Sequence, residues 1–506
     1  MQGIGFWLRK REMLNPGKEA VVDGRRRVSY RELNHRVNRL SRGLQTQGLR
    51  HGDRLGILAY NCLEFVEVIM AAAKLGLILV PLNWRLTPAE IGFNLSDSQT
   101  TSLIVDAELL EKAEAVAAVT AIERQIVIGK APANLTDYDS LLAGQKSEEP
   151  VPDRSVDLET PHIIMYTAGT TGRPKGAVLS QGASFWNALN LESLDFTSRD
   201  RDLLVLPMFH IGGIGLFTLP MLYHGATVIL QRSFDPARTL ELLRSEGISL
   251  FFGVPAIFLF LIQHETFDPQ AFATVRTVMS GGAPLPVSLV KEYKARGIDL
   301  QQGFGMSEAA PSIATLSKDL ALKKAGSIGK AVYHLEVKVV DEQLQELPRG
   351  EVGELVMRGP NLMQGYWNRP EATREAFAGG WFHSGDLAWM DAEGDIFIVE
   401  RKKDMFISGG ENVYPAEVEN AIYELSQVSE AAVIGVKHET WGEAGLAVVV
   451  LKPEAELSEG QLLDHLRERL AKYKIPGQVV FEEQLPRNAA GKVLKTELRE
   501  RFANVS

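Results

Sequence analysis

The segment Thr167-Ala168-Gly169-Thr170-Thr171-Gly172-Arg173-Pro174-Lys175-Gly176 has the chemistry of a phosphate cradle. Three glycines, three threonines and a lysine fall within ten residues, directly behind the apolar run Ile163-Ile164-Met165. Glycine permits the tight backbone that turns successive N–H groups toward an anion, threonine adds hydroxyl donors, and lysine adds a mobile positive charge. Thr170 and Thr171, with the backbone of Gly169 and Gly172, suit the distal phosphates of a nucleotide. Pro174 before Lys175 and Gly176 after it exclude the Gly-Lys-Ser/Thr ending of a P-loop. Taken alone, the segment is also compatible with a glycine-rich surface turn.

Four further segments follow in order. They are Gly303-Phe304-Gly305-Met306-Ser307-Glu308, His383-Ser384-Gly385-Asp386-Leu387, Arg401-Lys402-Lys403-Asp404 running into Ser408-Gly409-Gly410-Glu411-Asn412, and Pro486-Arg487-Asn488-Ala489-Ala490-Gly491-Lys492. Together the five resemble the signature set of the adenylate-forming superfamily, which contains acyl- and aryl-CoA synthetases, peptide-synthetase adenylation domains and luciferases. The resemblance extends from about residue 30 to residue 498.

What the resemblance implies is a two-step ligase using ATP, Mg2+ and coenzyme A. A carboxylate oxygen attacks the α-phosphate of ATP, pyrophosphate leaves, and a thiol then captures the acyl-adenylate. Two anions meet in the first step, so the site must supply positive charge and a metal ion. By resemblance, Glu308 and Thr167 hold Mg2+, which prefers hard oxygen ligands. The alternative for Glu308 is a carboxylate that only complements a helix dipole. Ser307 is then near the α-phosphate, while Lys175 adds charge there or faces solvent. Phe304, between Gly303 and Gly305, stands where relatives stack an aromatic ring on adenine. Gly281-Gly282-Ala283-Pro284 lines the other side of that pocket. Asp386 and Arg401 are assigned to the ribose, and Lys492 to the catalytic bridge between carboxylate and α-phosphate. For the second step, the resemblance implies that a C-terminal domain rotates about Lys403. That motion withdraws Lys492 and brings Ser408, Gly409 and Gly410 against the pantetheine arm. Lys402, Lys472 and Lys474 are candidates for the CoA phosphates, or ordinary solvated lysines.

The acid itself is less constrained. Peptide-synthetase domains bind the substrate amine with an aspartate in the segment that here reads Phe209-His210-Ile211-Gly212-Gly213, and none is present. An amino acid is therefore not expected, and the short stretch after Lys492 makes free coenzyme A the expected acceptor. Gly305 occupies the place of a tryptophan plug in acetate-activating relatives, so acids longer than propionate are expected. Trp186, Ile211, Phe251, Phe252 and Gly281 are candidates for the acyl wall, although Phe251 and Phe252 equally read as core aromatics. His210 stands where the family keeps a gating histidine near the carboxylate. A medium- or long-chain fatty acid is the first expectation and an aryl or succinyl-aryl acid the second. An acyl-AMP ligase serving a carrier protein and a non-catalytic nucleotide-binding protein are the competing classes.

The elements that must position these residues read as α/β. A chain of 506 residues exceeds one core. The expectation is a large N-terminal domain, residues 1–402, of two α/β subdomains plus a small β-rich subdomain. A small mobile α+β domain, residues 403–506, follows. Ser29-Tyr30-Arg31-Glu32 is a capping-box pattern, with Leu33, Val37, Leu40 and Leu44 at helical spacing behind it. Thr87-Pro88-Ala89-Glu90 opens another helix, and residues 55–58 and 101–105 read as buried strands. Short β runs occupy 336–340, 353–358 and 395–399, with a turn at 391–394. Pro415 starts a helix whose Val418, Ile422 and Leu425 share a face.

Composition sets the remaining bounds. With 54 basic and 64 acidic side chains the formal charge is −10, which argues against a general nucleic-acid binder. Arg25-Arg26-Arg27 reads as a solvated turn between strands. Cys62 is the sole cysteine, so an intrachain disulfide is excluded and a reducing, cytoplasmic setting is expected. Residues 1–14 lack signal-peptide character. Residues 66–82 contain Glu67 and Lys74, and 203–223 are broken by Pro207, His210 and Pro220, so both are expected to be buried rather than to span a membrane. A homodimer is left open.

Overall fold

The computed structural model describes residues 2–167, 174–402, 404–408, 411–438, 442–487 and 493–502. Among these residues the strands form four sheets. Apolar runs become parallel central strands when helices cover both faces, and two sheets follow that rule. One, of eight strands, has Ile78–Pro81, Arg54–Leu58 and Ser102–Asp106 at its parallel centre. Toward one edge it carries the antiparallel hairpin of Pro161–Thr167 and Lys175–Ser180. The other, of nine strands, places Arg201–Leu204 between Thr227–Leu230 and Leu250–Gly253, followed by Thr277–Ser280 and Leu300–Gly305.

The helix Leu63–Leu75 is buried along its whole length. Its charges survive burial because each is met in place, as an unpaired buried charge would be far too costly. Arg36 pairs with Glu67, which also accepts from the Tyr138 hydroxyl at 2.8 Å. Lys74 donates to Glu149 at 2.7 Å and to Asn34 and Asn38 at 2.6 Å each. Among the described residues no helix is long and apolar enough to cross a membrane.

A third sheet is antiparallel throughout and contains Glu336–Val340, Gly353–Arg358, Phe382–Met390 and Ile396–Arg401. Its turn at 391–394 is gathered around the Lys324 ammonium, which pairs with Asp391, Glu393 and Asp395. The fourth sheet, from Phe406–Ser408 to Gln478–Phe481, belongs to a small C-terminal domain with its own apolar clusters. There the helix Pro415–Ile422 buries Val418 and Ile422.

Local sequence logic holds at both capping boxes, Ser29 with Glu32 and Thr87 with Glu90. Arg25-Arg26-Arg27 is exposed at the hairpin between the strands Glu19–Asp23 and Arg26–Ser29, as expected of a solvated turn. Arg26 and Arg27 lie in the strand Arg26–Ser29 and pair with Asp23, Glu64, Glu19 and Glu246. Two of those carboxylates come from segments distant in sequence, so a local reading had no access to them.

His162 is buried, with Nε2 3.4 Å from the Ile69 carbonyl and Nδ1 without a partner among the described residues. Burial pushes its pKa down to about 4. The unfolded chain, with imidazoles near ~6.5, therefore takes up this proton first, so stability is full above that pH and falls toward pH 4. Thermal unfolding of His162→Phe should show a flatter acid limb between those values than the parent. This residue contributes up to ~1.4 kcal/mol per pH unit. Identical limbs would refute the assignment.

Candidate active site

The hairpin of Pro161–Thr167 and Lys175–Ser180 sets Thr167 opposite Lys175, with Thr167 Oγ1 3.4 Å from the Lys175 carbonyl oxygen. Gly169, Thr170, Thr171 and Gly172 lie outside the described residues, as do Lys403, Gly409, Gly410 and Lys492. Lys175 Nζ stands 5.2 Å from the centroid of the Tyr366 ring. The Tyr366 hydroxyl donates to Glu308 Oε1 at 3.0 Å. Three candidates from two separate motifs, Thr167 and Lys175 from one and Glu308 from the other, are thus brought to one place, joined through a tyrosine that motif reading missed. Its local signal is only the short Gly365-Tyr366-Trp367 run, whose strand pairs with Ala177 and Val178.

Glu308 occupies the single turn Ser307–Ala309 after the strand Leu300–Gly305. It is buried, and among the described residues no lysine or arginine pairs with it. A buried carboxylate held by a neutral hydroxyl suits a hard divalent cation, so these residues fit Mg2+. Ser307 is half-buried on the same turn. Two buried asparagines hold the following backbone. Asn187 donates to the Gly215 carbonyl at 2.6 Å and accepts from the Ser312 amide at 3.0 Å. Asn361 donates to the carbonyls of Ala309 at 2.7 Å and Ser312 at 2.9 Å.

Glycine is mandatory in this packing. A Cβ on Gly305 would lie 2.4 Å from the Pro311 carbonyl oxygen, and one on Gly215 2.5 Å from that of Ala310. A side chain at 305 would therefore force this backbone contact to shift, independently of what the acid pocket admits. Gly281 lies against Gly303 and Phe252, its Cβ position 2.8 Å from the Gly303 oxygen and 3.2 Å from Phe252 Cζ. Gly282 has φ +81°, the left-handed region where glycine is favoured, and Ala283 and Pro284 continue that turn. Phe304 is half-buried opposite Ala314. Residues 281–284, 303–305 and 252 are thus neighbours.

His210 and Ile211 lead into the wide helical segment Gly212–Thr218. His210 Nε2 is shut from solvent and lacks a partner among the described residues. Burial, and then the Arg85 charge, lowers its pKa to about 4, so the imidazole is neutral at neutral pH. Strand alternation separates the two phenylalanines. Phe251 is fully buried against Phe258 and Phe272, on the core side. Phe252 meets Phe217 edge-on at 6.0 Å. Trp186 does not join this wall. It packs on His334 at 4.9 Å and lines a different cavity with Ser180, Gly182, Arg358 and Phe382, because its helix Gln181–Asn190 turns it that way.

Asp386 is buried on the strand Phe382–Met390 and faces Arg401 across the ladder. Gly385 at φ +69° and the Ser384 hydroxyl, which accepts from the Asp386 amide at 3.0 Å, shape that bend. The Arg401 side chain lies outside the described residues. Ser408 is buried at the end of Phe406–Ser408, paired with Glu411.

Residues 8–367 match the AMP-binding enzyme family, and residues 417–492 match the AMP-binding enzyme C-terminal domain. The chain belongs to the AMP-binding enzyme family. This AMP-binding enzyme is an acid–thiol ligase that uses ATP, Mg2+ and coenzyme A. It is 42% identical over 502 residues to a feruloyl-CoA synthase of an Amycolatopsis species, covering 99% of both chains. It is 39% identical over 516 residues to the long-chain-fatty-acid–CoA ligase FadD13 of Mycobacterium tuberculosis, again covering 99% of both. The crystal structure of ATP-bound MatB from Rhodopseudomonas palustris matches it with a TM-score of 0.91 at 31% identity, over 100% of each chain.

The close contact at Gly305 makes a prediction. Gly305→Ala should lower the thermal midpoint, by roughly 1–3 kcal/mol of stability, and depress pyrophosphate exchange for acids of every length. Selective loss of long acids at unchanged stability would show instead that position 305 only gates pocket depth.

Proposed function

We propose that this enzyme activates an aromatic carboxylic acid with ATP and transfers the acyl group to free coenzyme A. The observation that carries the acid class is likeness over the whole chain to a feruloyl-CoA synthase. The segment Gly212–Thr218 and the sheet bring Leu204, Leu206, Leu216, Phe217 and Phe252 together around a space of about 10 Å3, and Phe217 meets Phe252 edge-on. Likeness to FadD13 keeps a long-chain acid as the second reading.

In the first half-reaction the carboxylate oxygen attacks the α-phosphorus and pyrophosphate departs. Mg2+ bound by Glu308 and Thr167 would offset phosphate charge, with Tyr366 orienting Glu308. Phe304 and residues 281–284 receive the adenine, and Asp386 with Arg401 the ribose. His210, neutral and without a hydrogen-bond partner among the described residues, borders the incoming carboxylate. A neutral ring excludes water there without trapping the anion as a salt. Lys492 bridges carboxylate and α-phosphate. In the second half-reaction residues 403–506 rotate about Lys403, Lys492 withdraws, and Ser408, Gly409 and Gly410 leave room for the thiol arm. A cytoplasmic setting accords with the single cysteine, Cys62, whose thiol burial pushes well above its ordinary pKa.

The test is acid-dependent pyrophosphate release with Mg-ATP across aromatic, short, medium and long acids, with and without coenzyme A. Turnover that needs coenzyme A and peaks on aromatic acids supports the reading. A peak on long alkyl acids overturns the acid class, and a stoichiometric burst indifferent to coenzyme A overturns the acceptor. Lys492→Ala should reduce adenylation by about 10²-fold or more while sparing thioester formation from supplied acyl-adenylate. Equal loss of both steps would remove Lys492 from the first step alone.

A further inference from the structure

Asp97 closes the helix Pro88–Asp97, and its side chain is only 10% exposed. A carboxylate so placed is costly unless donors meet it, and two side chains supply them. The Tyr166 hydroxyl donates to Oδ2 at 2.8 Å, and the Arg369 guanidinium to Oδ1 at 2.6 Å. The Trp367 indole N–H donates to the Asp97 backbone carbonyl at 3.1 Å. None of the three belongs to the helix. They come from the two segments that bear on the candidate metal site. Tyr166 precedes Thr167, and Trp367 follows Tyr366, whose hydroxyl holds Glu308.

Strand register shows how one residue reaches both segments. Thr167 pairs with Lys175, Tyr166 with Gly176, and Tyr366 with Ala177. Partners in register share a face and successive residues alternate, so Thr167, Lys175 and Tyr366 stand on one face of the sheet. Tyr166 and Trp367 stand on the other, where both pack against the apolar cluster that contains Ile91 and Leu95 of the helix. Asp97 therefore grips the sheet from behind the metal site. The grip matters because the strand of Tyr366 is two residues long, Gly365–Tyr366, at the edge of its sheet. On either side of it the Gln364 amide donates to Val178 at 2.8 Å and the Trp367 amide to Gly176 at 2.7 Å. The Tyr366 amide donates to Thr373 Oγ1 at 2.9 Å. So short a strand has few ladder bonds to hold it, and the Asp97 contacts to Trp367 and Arg369 brace it from the far face.

We propose that Asp97 is a positioning residue of this ligase. From the rear of the sheet it fixes Thr167 and, through Tyr366, Glu308 relative to each other, and so sets the affinity of the site for Mg2+. This rests on the reading of Thr167 and Glu308 as the metal's ligands. Functional side chains must be held to within about 0.5 Å by neighbours whose own positions are locked. Tyr366 does that for Glu308 directly, and Asp97 does it for the two segments together. Tyr166 and Arg369 use separate oxygens of one carboxylate, so a shift of either segment is passed to the other.

The experiment measures ATP affinity by calorimetry without any acid, at negligible and at saturating free Mg2+, so that no turnover enters. The quantity read is the gain in affinity that Mg2+ confers. Asp97→Leu should reduce that gain by about 10-fold while leaving the affinity for metal-free ATP unchanged. Asp97→Asn, which retains an acceptor for Tyr166, and Tyr166→Phe should each reduce it by about 3-fold. Glu308→Gln is the reference and should abolish the gain. If the parent shows no gain, or Glu308→Gln keeps it, the metal reading falls and this role with it. If Glu308→Gln loses the gain and folded Asp97→Leu keeps it, the role of Asp97 alone is overturned. Equal loss of affinity with and without Mg2+ in Asp97→Leu overturns it in favour of a structural role. If Asp97→Leu does not fold, Asp97→Asn and Tyr166→Phe decide, an undiminished gain in both overturning the role.

Discussion

Everything in the site depends on two backbones approaching at distances only glycine allows. The carbonyl of Pro311 sits where a side chain on residue 305 would begin, and that of Ala310 does the same to residue 215. This contact packs the strand that carries Phe304, the turn that carries Glu308 and the wide helix Gly212–Thr218 closely together. Asn187 and Asn361 complete it, because carbonyls and amides turned inward at such a junction need partners as strong as a ladder would provide.

Charge is handled in two ways, and the contrast separates scaffold from site. In the helix Leu63–Leu75 each buried charge meets a counter-charge and neutral amides or hydroxyls, so Glu67 and Lys74 serve the core. Elsewhere two side chains, His210 and Asp202, bury polar atoms without a partner among the described residues. His210 is held neutral by burial and by Arg85, and Asp202 is held neutral by burial alone. Natural folds tolerate local inconsistencies of this kind mainly where a ligand completes them.

The pocket wall also bears on how one scaffold serves different acids. Relatives of similar identity take a feruloyl group in one case and a long-chain fatty acid in another. The catalytic turn is backbone-dictated and hard to vary, whereas the space beside Phe252 is lined by side chains from one strand face and one wide helix.

The sequence alone determined the chemistry class, because its evidence is local. A glycine-rich loop behind a strand, a carboxylate after Gly-Phe-Gly, and capping boxes at Ser29 and Thr87 follow from short-range backbone geometry, which a linear string records. It also located several strands and helices, since buried strands and amphipathic helices have distinct periods. Tertiary structure decided what depends on faces and distant partners. Phe251 and Phe252 are adjacent in sequence, yet strand alternation sends one to the core and the other toward Phe217. Trp186 looked like acyl wall but its helix turns it to His334. The arginines at 26 and 27 are solvated as the sequence implied, but their partners Glu64 and Glu246 come from elsewhere in the chain. Tyr366 carried no motif, for its meaning lies in a carboxylate that only folding brings to it.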